Sequence, residues 1–153
     1  MSLRFKTLRL MNLLAPLGPV YQAGTLSGNP LSVRAGLETL TLLERAGTYE
    51  QLEASGARLE AGLRAALSES RRSGCVNRAG SLLTLFLGVD KVTDGDSARR
   101  ADTAAFAKFF HAMFERGINL PPAQFEAMFV SLAHSDADID ATIAAAREAL
   151  ATI

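Results

Sequence analysis

Glycines at positions 47, 74, 80 and 117 cut this chain into segments whose apolar residues recur with different periods, and that punctuation limits the folds open to it. Ahead of the first, Val33, Leu37 and Leu40 recur at helical spacing, and Leu42 and Leu43 widen the apolar surface. The pattern predicts a helix from Pro30 to about Arg45, buried on more than one side. Asn29 and Pro30 suit its start, because Asn can cap free amides and proline loses no needed N–H in the first turn. After Gly47, Thr48 and Gln51 have the spacing of a capping box. Leu52, Leu59, Leu63 and Leu67 supply the apolar face of a second helix through about Arg72.

Beyond Gly74 the period shortens. Cys75–Arg78 and Leu82–Leu87, separated by Gly80-Ser81, read as two strands forming a hairpin. Residues 89–100 carry Asp90, Lys91, Asp94, Asp96, Arg99 and Arg100 with little apolar content, which predicts a mobile surface loop. A third long helix is expected from Asp102 to Arg116, loaded with Phe106, Phe109, Phe110, Met113 and Phe114 and stopped by Gly117. Ile118–Leu120 and Met128–Leu132 read as strands flanking the loop 121–126. A last helix opens at Ser135 and Asp138 and buries Ile139, Ile143, Ala146 and Leu150. The expected fold class is α+β, a small antiparallel sheet covered by helices.

At 153 residues the chain can bury roughly two-thirds of the surface its unfolded form exposes. Sixteen basic residues balance sixteen acidic ones without long runs of either sign, so no nucleic-acid partner is expected. The single Cys75, with only His111 and His134 beside it, gives no metal-ligand spacing and no intramolecular disulfide. No apolar run approaches the roughly 20 residues that span a bilayer. Arg4, Lys6 and Arg9 precede a short apolar stretch that Asn12 and Pro16 interrupt, too short for a signal peptide. A cytoplasmic location is therefore expected.

The strongest local motif is Ala23-Gly24-Thr25-Leu26-Ser27-Gly28-Asn29-Pro30, small residues and hydroxyls just ahead of a helix N-terminus. As residues alone it reads first as a turn and helix cap. Its second reading is a phosphate site, with backbone N–H groups and the Thr25 hydroxyl as donors and glycine allowing close approach. Residues 16–30, Pro-Leu-Gly-Pro-Val-Tyr-Gln-Ala-Gly-Thr-Leu-Ser-Gly-Asn-Pro, are similar almost letter for letter to a stretch of the glutamate-1-semialdehyde 2,1-aminomutases. Pro121-Pro122-Ala123-Gln124-Phe125-Glu126-Ala127, continuing through Ser131–His134 to Asp138–Asp140, resembles that family's C-terminal signature, and the similarity covers roughly residues 10–153.

The resemblance implies a fold-type-I, pyridoxal-phosphate (PLP) enzyme of the class-III aminotransferases, an isomerase turning an amino-aldehyde, glutamate-1-semialdehyde, into 5-aminolevulinate for tetrapyrrole synthesis. It implies a homodimer in which Gly24 and Thr25 reach the cofactor phosphate of the neighbouring subunit. It implies that Glu126 lies near the substrate amino groups. Without the resemblance Glu126 would be a solvated loop carboxylate, and His134 is assigned no chemistry beyond structure. Residues 1–29 would be an arm and phosphate-contact loop from the large domain, and 30–153 the C-terminal small domain with its linking helix.

Two departures from the family pattern matter. Ala123 stands where the family usually has serine. The family's cofactor-binding lysine falls upstream of residue 16, so no catalytic residue is assigned in this chain. Lys6, Lys91 and Lys108 all read as solvated. The chain by itself is therefore expected to be inactive and not to hold PLP stably. The rival readings are another class-III aminotransferase, or a non-catalytic binding or oligomerisation module.

Overall fold

The computed structural model describes residues 8–153 and divides into two compact units, the first ending at Glu44 and the second running from Arg45 to Ile153. Arg4 and Lys6 lie outside the described residues.

In the first unit, residues 8–11 are helical and lead into a tight turn. The Ala15 N–H donates to Val20 O (2.9 Å) and the Val20 N–H to Leu13 O (2.9 Å), closing a parallel bridge between Leu14 and Val20 across a cis Ala15–Pro16 peptide. Helix α1 (Pro30–Leu43) starts as expected: Asn29 Oδ1 accepts from the N–H groups of Leu31 (3.1 Å) and Ser32 (3.2 Å). The expected burial is not found. No residue of α1 is buried, and Leu31 is 79% exposed. A periodic apolar face shows that a helix is fit for burial; what covers it is a separate, tertiary matter.

The second unit is built around helix α2 (Thr48–Ser70), strands β1 (Gly74–Ala79) and β2 (Leu82–Leu87), a short helix α3 (Gly95–Ala98), helix α4 (Thr103–Glu115), strand β3 (Met128–Phe129) and helix α5 (Asp136–Thr152). The three strands form an antiparallel sheet in the order β1-β2-β3, with Gly74 opposite Leu87, Ala79 opposite Leu82, and Leu83 opposite Met128. The α+β class and the hairpin are as the sequence indicates.

The two-residue period of the strands sorts the core. Leu83, Leu85 and Leu87 of β2 and Val76 of β1 face Leu59, Leu63 and Leu67 of α2, Phe106, Phe109 and Met113 of α4, and Ile139, Ala146 and Leu150 of α5. Each fully buried Leu contributes on the order of 2 kcal/mol. The opposite face carries Cys75 and Phe86, packed with Ala101 and partly covered by Val89, Val92 and Ala98.

Four expectations change. Thr48 is the first helical residue of α2, so it cannot cap; Gly47, at φ 86°, occupies the cap position and makes no side-chain bond. Residues 89–100 are not a mobile loop. Asp94 accepts from the Ser97 N–H (2.7 Å) to start α3, Ser97 is buried, and the Asn77 side-chain amide donates to Val92 O (3.0 Å). Ile118–Leu120 is not a strand. The Ile118 N–H donates to Met113 O (3.0 Å), closing the end of α4, while Ile118 and Leu120 pack on the core. The loop 121–126 is consequently not flanked by two strands. The last strand also stops early, because the Ser131 N–H is taken by His134 Nδ1 (3.0 Å).

Arg78, exposed only 17%, joins Glu60 (2.6 Å) and Glu53 (2.8 Å), and Arg64 adds a second bond to Glu60 (2.8 Å) while donating to Val76 O (2.5 Å). The Arg78 and Arg64 hydrogen bonds hold the Glu60 carboxyl below the usual carboxylate value. Its contribution to stability is therefore complete above the ordinary value of 4.5 and is lost as pH falls through the depressed folded value. In acid titration of thermal melting down to roughly pH 3, Glu60→Gln should lose less stability than the parent. Helix α2 also needs a glycine where it crosses the hairpin turn, since a Cβ at Gly56 would overlap the Gly80 carbonyl oxygen. Gly56→Ala should cost roughly 1–3 kcal/mol in urea unfolding.

Candidate functional site

Two loops carry the residues singled out in the sequence, one in each unit. In the first, the Ser27 N–H donates to Gly24 O (2.9 Å) and the Asn29 N–H to Leu26 O (3.1 Å), and Gly28 at φ 71° turns the chain into the Asn29 cap of α1. A Cβ at Gly24 would lie 2.7 Å from Ser27 Oγ, an exposed hydroxyl that can rotate aside. Thr25 is exposed, and among the described residues neither its hydroxyl nor its N–H has a hydrogen-bond partner. The turn therefore presents a hydroxyl and a backbone amide together, next to a side-chain-free approach. That donor set fits an oxyanion such as a phosphate.

In the second unit, Pro121–Ala127 links α4 to β3. The Glu126 N–H donates to Ala123 O (3.1 Å), making a turn, and the Thr84 hydroxyl of β2 reaches Glu126 O at 3.5 Å. Glu126 is exposed, and among the described residues its carboxylate enters no ion pair. Glu126 and Ala123 line a small cavity beside β2. Inside the turn sits Gln124, 2% exposed, whose Oε1 accepts from the Leu87 N–H (3.2 Å). Sequence reading passed over Gln124. The signal available was a polar side chain that must point opposite to Phe125, which is 54% exposed.

Gly24 and Thr25 thus share one loop, and Glu126 stands on another in the other unit. Lys91 and Lys108 are exposed, and Lys6 lies outside the described residues. Burial pushes the Cys75 thiol up, which suits packing and not nucleophilic attack. Among the described residues no cluster of three or more His, Cys, Asp or Glu could hold a metal, and no helix is long and apolar enough to cross a membrane.

The chain belongs to the class-III aminotransferase family, whose model, Aminotransferase class-III, matches residues 2–150. Within that family it is similar to glutamate-1-semialdehyde 2,1-aminomutases. It is 56% identical to that of Thermomicrobium roseum over 94% of this chain and 34% of that protein, and 53% identical to that of Thermus thermophilus over 92% and 34%. The chain thus spans about a third of the length of the curated relatives it matches.

Solved structures agree on the fold. An omega-transaminase from Sphaerobacter thermophilus superposes with TM-score 0.77 at 28% identity, over 92% of this chain and 33% of that one. A glutamate-1-semialdehyde-aminomutase from Pseudomonas aeruginosa PAO1 does so with TM-score 0.75 at 22% identity, over 96% and 33%. A transaminase with PLP bound matches with TM-score 0.75 at 24% identity, over 93% and 32%.

The geometry of the first loop depends on the Asn29 cap. Asn29→Ala should destabilise α1 by about 1 kcal/mol, read as loss of helical chemical shifts at Leu31 and Ser32.

Proposed function

We propose that the chain is the C-terminal part of a PLP-dependent glutamate-1-semialdehyde 2,1-aminomutase, a cytoplasmic homodimeric isomerase forming 5-aminolevulinate for porphyrin synthesis. The observation that carries this is the 51–56% identity, over 92–94% of the chain, to proteins of that name. In this reading residues 1–29 are the arm and phosphate-contact loop of the large domain, and 30–153 form the small domain with its linking helix.

PLP, when bound, supplies an electrophilic carbonyl and an electron sink for moving the amino group. The Thr25 hydroxyl and N–H donate to the cofactor phosphate of the neighbouring subunit, and Gly24 leaves room for its oxygens. Those charge-assisted bonds fix the cofactor's position without touching its reactive end. The Glu126 carboxylate, unpaired among the described residues, would accept a hydrogen bond from the substrate's amino group and so orient the molecule. Ala123 supplies Glu126 no hydroxyl from within the turn. Among the described residues Lys91 and Lys108 are exposed, without the desolvation that makes a lysine a nucleophile, and this reading takes the chain by itself as inactive.

The test is a chimera in which this chain replaces the matching third of the Thermomicrobium roseum protein. It should form 5-aminolevulinate from glutamate-1-semialdehyde. Thr25→Val should weaken PLP retention about tenfold, and Glu126→Gln should lower turnover with PLP retention unchanged. A folded, PLP-loaded chimera without that product refutes the reading. The isolated chain should show no new visible absorbance band with PLP, and a borohydride-stable adduct at one of its lysines would refute its inactivity.

A further inference from the structure

Among the described residues, Gln124 Nε2 is the buried side-chain nitrogen that has no hydrogen-bond partner. The orientation of the amide is fixed by its other end, because the Leu87 N–H can be met only by the oxygen (3.2 Å). The N–H2 group is therefore held away from Leu87, and Gln124 lines the small cavity shared with Thr84, Phe106, Phe109 and Glu126. The space open to a water's centre in that cavity is ≈ 10 Å3, the lower end of what one water molecule needs. A buried donor in a space of that size calls for one small acceptor.

Leu87 is a junction. It ends β2, its side chain is buried in the core, and its carbonyl accepts from the N–H of Asp102 (2.8 Å), the residue that caps α4. Its own N–H goes to Gln124. The Ala123–Glu126 turn is thus fastened from inside to the joint between sheet and helix, two residues from the carboxylate it presents.

We propose that Gln124 is the positioning residue for Glu126. It pins the 123–126 turn to the end of β2 through the Leu87 amide, and its Nε2 group holds a single water in the cavity beneath the turn. The role in turnover rests on the reading of Glu126 as the substrate-side carboxylate; the anchoring does not.

The 153-residue chain tests the anchoring by NMR. The parent should show through-hydrogen-bond coupling between the Leu87 amide nitrogen and the Gln124 side-chain carboxamide carbon. It should also show slowly exchanging Gln124 side-chain protons with a cross-peak to a long-lived water. Gln124→Met, similar in shape but without these bonds, should speed Leu87 amide exchange about tenfold or more. No coupling with fast-exchanging side-chain protons in the parent overturns the proposal, even if the variant does not fold. Unchanged Leu87 exchange in a folded Gln124→Met overturns it as well.

In the chimera, a double-mutant cycle tests the link to Glu126. Gln124→Met should lower kcat/KM about tenfold, yet cost nothing further in a Glu126→Gln background. Additive losses overturn the positioning role and leave the Glu126 reading intact. A Glu126→Gln chimera with full kcat/KM refutes that reading and the positioning role with it.

Discussion

Burial of the alternate side chains of β2 beneath α2, α4 and α5 is the interaction on which the rest of the second unit depends. Leu83, Leu85 and Leu87 are each at most 2% exposed and share one cluster with residues of all three helices. Once that strand is fixed, its register fixes β1 on one side and the short β3 on the other. A one-residue slip would turn the three leucines to the opposite face and bring Phe86 inward, so the register is strongly specified. The helix ends follow from the same constraint: α4 is launched from the Leu87 carbonyl, and the Gly80 turn meets α2 at Gly56.

The candidate residues gain their geometry from that frame in unequal measure. Glu126 sits on a turn whose backbone is tied to Thr84 and, through Gln124, to Leu87, so its placement is inherited from the sheet. Gly24 and Thr25 owe nothing to the sheet. Their loop is shaped by its own turns and by the Asn29 cap, a local device that needs no distant partner. A turn whose donors are backbone groups and a short hydroxyl can be built this way. Glu126, on a longer loop, takes its placement from the groups beneath it.

The apolar face of α1 is uncovered. Leu31, Val33, Leu37, Leu40 and Leu42 remain exposed, while the second unit closes a complete core of its own. Within one chain, then, the same helical period accompanies burial of Phe106, Phe109 and Met113 in α4, with Phe114 left 60% exposed, and burial of no residue in α1. The difference lies in the availability of a facing surface, which periodicity does not encode.

Much of the candidate site was legible in the sequence, because its chemistry is local. The Asn29-Pro30 start, the Ser135 capping box, the Gly24-Thr25 turn and the family likeness of 121–127 are all written in adjacent residues. What stayed hidden involves competition for backbone groups. Ile118 is β-prone, yet its N–H closes α4; Ser131 would extend β3, yet His134 takes its N–H; the polar 89–100 segment is ordered by an Asp94–Ser97 cap over a small apolar cluster. The sequence by itself determined the four long helices, the hairpin and the family to which the chain belongs, because periodicity and motif depend on near neighbours. Only the tertiary structure decided which amides join the sheet, and that Gln124 lies beneath Glu126. The Leu87–Gln124 bond joins residues far apart in sequence, and the local bonds that keep Ile118 and Ser131 out of the sheet compete with strand partners that only the folded chain brings near.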